Sequence, residues 1–212
     1  MLFRSKGPYP QTWPTLEWST ASLESQGMCP DEVQSVIDYA FLEGNDTGAI
    51  IVIRNGYIVI EEYDSGKTED DLATSWSVGK SFASALMGVA LEEGLISSLD
   101  ETTGQYFSEW AGTERENITI RHLMTLRTGL EADCLGPPND YDNGGNSIYF
   151  SLDQVACALN RELQGPIGEK LYSYSNSDVM LAGEIMEITS GMKLDDYLRS
   201  EEHTSELQSP MY

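Results

Sequence analysis

The chain has 212 residues, 40% of them hydrophobic, which is enough for one domain of ordinary size and too apolar for a disordered tail. Its formal net charge of −23 argues against nucleic acid and anionic membrane as partners, because both need clustered Lys and Arg; the acidity reads as a well-solvated surface. No apolar run reaches the ~18 residues needed to span a bilayer.

The opening MLFRSKGPYPQTWP lacks the apolar segment of a signal peptide. That leaves a cytoplasmic chain, or a periplasmic or secreted one whose natural start is missing. Residues 1–30, rich in Pro, Ser and Trp, read as an extended lead-in. Asp31 is placed to cap a helix carrying Val33, Val36, Ile37, Ala40 and Phe41. In GAIIVIRNGYIVIEEYD two β-branched runs flank Asn55-Gly56, the pair favoured where both turn residues need positive φ, so strands are expected near 48–54 and 57–63. From Val78 to Leu91 the chain is small or apolar on nearly all sides, the pattern of a helix enclosed within a domain, and Gly94 supplies its stop.

ITIRHLMTLRTGL predicts a short helix ending at Gly129. Residues 132–147 form a long Pro, Gly and Asn loop of the kind that covers sites. Residues 151–161 predict a helix, YSYSNSDVMLAGEIMEITSG a turn and then an amphipathic helix ending near Gly191, and a last helix starts near Lys193. The order of helix, hairpin and long helical run predicts an α+β fold, an antiparallel sheet beside a helical region. A two-stranded sheet is marginal alone, so further strands are expected beyond residue 198. RSEEHTSELQSPMY, residues 199–212, has neither periodicity and resembles the translation of a sequencing-library adapter. It is expected to be a non-native tail on a partial domain spanning 1–198.

Cys29, Cys134 and Cys157 form no C-x-x-C pair, so a zinc site is not expected and the thiols read as free and packed. The only histidines are His122, which reads as packing on a short helix, and His203, in the tail. A Ser-His-Asp triad therefore has no histidine to use. Gly79-Lys80-Ser81 is similar to the end of a phosphate-binding loop, but the first glycine of that loop would have to stand at Thr74.

Ser77-Val78-Gly79-Lys80 places a hydroxyl and an amine three residues apart, on one helix face. Serine is a weak nucleophile until a neighbour takes its proton. A lysine of ordinary pKa, about 10.4, cannot do so at neutral pH, but burial and a helix N-terminus both disfavour the ammonium form. A second copy, Ser190-Gly191-Met192-Lys193, straddles a helix end with Gly191 as C-cap and reads as structural. Tyr174-Ser175-Asn176 stands where a loop enters a helix, a place from which a tyrosine can relay a proton and an asparagine can orient a carbonyl or the lysine. Tyr141-Asp142-Asn143 has the same spacing inside the long loop and reads as a turn.

Ser77-x-x-Lys80 after a hairpin and Tyr174-x-Asn176 further on, with the flanking SVGKSFASALMGVALEEGLISSLD and ITIRHLMTLRTGL, resemble the serine β-lactamase and penicillin-binding-protein superfamily over residues 16–198. The Tyr-x-Asn form is similar to class C β-lactamases, their esterase relatives and the 6-aminohexanoate-dimer hydrolases. The resemblance implies a β-lactamase/D,D-peptidase-like fold and a serine hydrolase cleaving an ester, amide or β-lactam. It also implies an acyl-enzyme on Ser77, base and acid duties shared by Lys80 and Tyr174, substrate positioning by Asn176, and neither cofactor nor metal. The superfamily's third motif, Lys-Thr-Gly or a His-x-Gly variant on a later strand, is not found, and that strand supplies one of two oxyanion donors. Loss of one donor typically costs ~100- to 1000-fold in kcat. The chain is therefore expected to be poorly active or inactive, and the alternative is a non-catalytic, truncated homologue or fragment that binds acyl or peptide ligands without turnover. Oligomeric state is not legible in the sequence.

Overall fold

A computed structural model describes residues 17–132, 134, 148, 151–169 and 172–203. They fall into two compact units, one of residues up to Thr74 and one from Ser75 to Glu206.

In the first unit, helix α1 spans Pro30–Ala40. Its N-cap is Cys29 rather than Asp31: Pro30 occupies the first helical position, where its missing N–H costs nothing, and Asp31 falls in the first turn beside the positive end of the helix. Strands β1 (Ala49–Arg54) and β2 (Tyr57–Tyr63) pair antiparallel with Ala49 opposite Tyr63 and Arg54 opposite Tyr57. Asn55 and Gly56 take φ of 53° and 84°, the two positive values that match the twist of a tight hairpin. A register shift lies between Val52 and Ile53.

The second unit begins with a 3₁₀ turn, Trp76–Val78, that runs into helix α2, Gly79–Glu92. Helices α3 (Ile120–Met124), α4 (Gln154–Leu159), α5 (Asn176–Ser190) and α6 (Leu194–His203) follow. The core gathers around α5, whose Leu181, Ala182, Ile185 and Met186 are fully buried and which packs against each of the other four helices. Each such Leu, Ile or Met side chain is worth roughly 1.5–3 kcal/mol in burial. Trp110 is enclosed in the same core, and its indole N–H donates to the Leu159 carbonyl at 2.9 Å. Polar caps set the helix starts: Asp153 accepts from the Ala156 N–H for α4, and Ser175 from the Asp178 N–H for α5. Gly191, at φ 70°, ends α5 as its sequence predicts.

Three further expectations change. Helix α2 is enclosed on one face only: Leu86, Met87 and Ala90 are buried, whereas Phe82 is 56% exposed, as is Val78 just before the helix, at 61%. Its packing helix within this unit, α5, lies against the Leu86 side, so apolar residues all round do not ensure enclosure. Helix α3 stops at Met124 and not at Gly129. Gly129, at φ 76°, instead lets a neighbouring segment approach: a Cβ there would stand 2.5 Å from the Gly165 carbonyl oxygen, and the N–H groups of Gln164 and Gly165 donate to the Gly129 carbonyl. Cys134 and Cys157, expected as free thiols, form a disulfide, because α4 returns beside the base of the long loop; Cys29 is free and exposed. Helix α6 itself runs through Arg199–His203, on residues with adequate helix propensity. The lead-in through residue 16, most of the 133–150 loop with Tyr141-Asp142-Asn143, and residues 204–212 lie outside the described residues.

The loop before α3 is organised by one carboxylate. Glu101 accepts from the Ser97 N–H and hydroxyl, from the Ser98 N–H, and from the Tyr106 hydroxyl. These donors, the Ser97 hydroxyl first, hold its carboxyl at about 2 against an ordinary 4.5. Because the folded value lies below the unfolded one, this contribution to stability is present above pH 4.5 and is lost as pH falls towards 2. In urea denaturation, wild type should exceed Glu101→Gln in stability at pH 6, and the gap should narrow at pH 3. A gap that stays constant or widens on acidification contradicts the assignment.

Candidate active site

Ser77 stands on the 3₁₀ turn and Lys80 in the first turn of α2, so the three-residue spacing eclipses their side chains on one face. Tyr174 and Asn176 arrive from the start of α5. The structure brings all four together. Ser77 Oγ and Tyr174 OH are 2.5 Å apart, with either able to donate. Lys80 Nζ lies 3.1 Å from Ser77 Oγ and donates to Asn176 Oδ1 at 2.7 Å. It also sits 4.9 Å from the centroid of the Tyr174 ring, within the range of a cation–π contact. The serine hydroxyl is thus flanked by two groups able to exchange a proton with it, one of them held by a side-chain amide. Lys80 and Asn176 are half-buried, and Ser77 and Tyr174 face solvent.

A cleft of about 750 Å³ opens beside this cluster. Its lining includes Trp76, Lys80 and Asn176 from around the cluster, the apolar Ala83 and Met180, and the charged Lys193 and Glu187. Trp76 is a site residue that the sequence does not single out. It is 76% exposed and takes φ 45°, a left-handed value that is uncommon for a bulky side chain. It immediately precedes the serine, and such strain persists only where the surroundings enforce it.

The second Ser-x-x-Lys copy is engaged elsewhere: Ser190 Oγ donates to the Met186 carbonyl at 2.6 Å and Lys193 Nζ pairs with Glu187 at 2.6 Å. His122 closes a capping box, its Nδ1 accepting from the Thr119 N–H while its own N–H donates to Thr119 Oγ1. Burial pushes its imidazole below the ordinary value, against the pull of Asp100. Among the described residues no three His, Cys, Asp or Glu side chains converge to hold a metal ion, and no helix is long and apolar enough to cross a membrane.

The β-lactamase family model matches residues 40–209 of the chain. The chain is 24% identical over 161 residues to the 6-aminohexanoate-dimer hydrolase of Paenarthrobacter ureafaciens, covering 72% of this chain and 40% of that protein. Its fold is similar to that of a penicillin-binding-protein homologue from Caulobacter crescentus, with TM-score 0.60 and 23% identity over 82% of this chain and 48% of the other. It is also similar to the D-amino acid amidase of Ochrobactrum anthropi SV3, with TM-score 0.52 and 22% identity over 79% and 49%. The chain therefore spans about half, or less, of the length of these relatives.

If the left-handed backbone at Trp76 is strained, glycine should relieve it. Trp76→Gly should match the wild type in urea denaturation or exceed it by about 1 kcal/mol, relief of strain offsetting the added freedom of the unfolded chain. A loss of stability beyond about 1 kcal/mol would show that the indole, and not the backbone, sets this turn.

Proposed function

The chain belongs to the β-lactamase family, and from that premise we propose that it is the nucleophile-bearing part of a serine hydrolase that acts through an acyl-enzyme on Ser77. The observation that carries the reading is the hydrogen-bonded cluster of Ser77, Lys80, Tyr174 and Asn176. The hydrolase and amidase named among its relatives support the same reaction class. The substrate is a small ester, amide or β-lactam.

In the proposed sequence Ser77 Oγ attacks the carbonyl carbon and its proton passes to the Lys80–Tyr174 pair. The bond from Lys80 to Asn176 Oδ1 holds the amine within reach of the serine hydroxyl. The tetrahedral intermediate then collapses, the carbonyl re-forms, and the departing alkoxide or amine takes the proton back from the pair. Water attacks the Ser77 ester with the same pair as base, which releases the acid and restores the hydroxyl. The Ser77 N–H is the expected first oxyanion donor.

Intact-mass analysis after treatment with a fluorophosphonate should show one adduct, mapped to Ser77 and absent in Ser77→Ala. Lys80→Ala and Tyr174→Phe should label roughly 100- to 10,000-fold more slowly. No adduct on Ser77 under any condition would favour a homologue that binds acyl or peptide ligands without turnover.

A further inference from the structure

Two charges are buried in the helical unit with no direct part in the cluster at Ser77. The side chains of Arg161 and Asp178 are 1% and 2% exposed, and Arg161 Nη2 meets Asp178 Oδ1 at 2.7 Å. The rest of the guanidinium is also bonded: Nε donates to the Ala158 carbonyl at 2.9 Å, and Nη1 to the Glu131 carbonyl at 2.9 Å and to Ser175 Oγ at 3.0 Å. Asp178 accepts from the Thr128 hydroxyl, and its backbone N–H donates to Ser175 Oγ at 3.0 Å. Two donors of this network, Arg161 Nη1 and the Asp178 N–H, converge on Ser175 Oγ, and Ser175 is itself 1% exposed.

Ser175 is the residue between Tyr174 and Asn176. Its backbone is extended, φ −141° and ψ 126°, a conformation in which successive side chains point to opposite sides. Locking the Ser175 side chain inward therefore turns Tyr174 and Asn176 outward together, the first onto Ser77 Oγ and the second onto Lys80 Nζ. A buried ion pair is weak evidence for stability, since apolar residues of similar volume often replace one without loss. Its worth here lies in direction: a planar guanidinium has donors enough for Ser175, Asp178 and two carbonyls at once, which no other side chain offers.

We propose that Arg161, acting through Ser175 and Asp178, is a positioning residue that sets the Tyr174–Asn176 turn against Ser77 and Lys80. The catalytic reading of that turn rests on the proposed function; its geometry does not. The test compares wild type with Ser175→Ala, with Arg161→Lys, and with the double variant Arg161→Met/Asp178→Leu, which removes both charges together. Circular dichroism and thermal melting report the fold, hydrogen exchange of residues 172–178 reports the turn, and fluorophosphonate labelling of Ser77 across pH 5–9 reports the site.

Melting should stay cooperative in Ser175→Ala, which loses a single oxygen atom, even if the arginine variants fail to fold. In each folded variant, exchange over 172–178 should rise about 10-fold and labelling should slow by roughly 10- to 100-fold, the cost of a displacement of about 1 Å at a reacting group. The pH at which labelling is half-maximal should also move, which a general loss of stability would not produce. Wild-type exchange and wild-type labelling in a folded Ser175→Ala or double variant overturn the proposal. If wild type itself is never labelled, the hydrolase reading fails, and exchange over 172–178 alone still decides whether Arg161 holds the turn.

Discussion

The arrangement at Ser77 depends on where one short extended residue points. Ser175 is pinned from below by the Arg161 guanidinium and by the first-turn N–H of Asp178, and the same guanidinium donates to the Asp178 carboxylate. Removing two charges from water costs several kcal/mol per ion, repaid only when geometry is good and the remaining donors and acceptors are satisfied. Both conditions hold: among the described residues no buried side-chain nitrogen or oxygen lacks a hydrogen-bond partner. The network also joins three separate pieces of chain, the Thr128–Glu131 stretch, the end of α4 and the start of α5. The segment that presents Tyr174 and Asn176 is thereby tied to the packed helices behind it. The other half of the site needs less support, because Ser77 and Lys80 share one turn and the path into α2 sets their spacing.

Much of this was legible locally. Asn55-Gly56 marks a hairpin because few other pairs accept two positive φ values, and Gly191 marks the end of α5 for the same reason. The Tyr-x-Asn turn was visible as a polar entry to an amphipathic helix. What was not legible depends on distant residues. Nothing beside Arg161 shows that it will be buried, since arginine after a short helix is ordinarily exposed; its partner is 17 residues on and belongs to another helix. Cys134 and Cys157 carry no spacing signature, and their pairing follows from α4 returning beside the loop base. The all-round apolar pattern of α2 records what a helix tolerates, not what covers it, and Val78 and Phe82 are exposed. No residue type announces the left-handed backbone of Trp76.

The two Ser-x-x-Lys sequences show why spacing alone does not define a site. Ser77–Lys80 crosses from a 3₁₀ turn into a helix, so both side chains project to one side. Ser190–Lys193 crosses a left-handed glycine at a helix end, and its serine and lysine turn back to Met186 and Glu187. The chemistry follows the backbone path between the two residues.

The central claim is that Ser77 lies in a cluster already assembled for acylation, with Lys80 and Tyr174 both in reach of its oxygen. The most direct measurement is a crystal structure of the chain after phosphonylation. The expected result is phosphorus bonded to Ser77 Oγ, Lys80 Nζ and Tyr174 OH still within hydrogen-bond distance of that oxygen, and Asn176 Oδ1 still accepting from Lys80. An adduct on another residue, or a Ser77 adduct with Tyr174 and Lys80 swung apart, would contradict it.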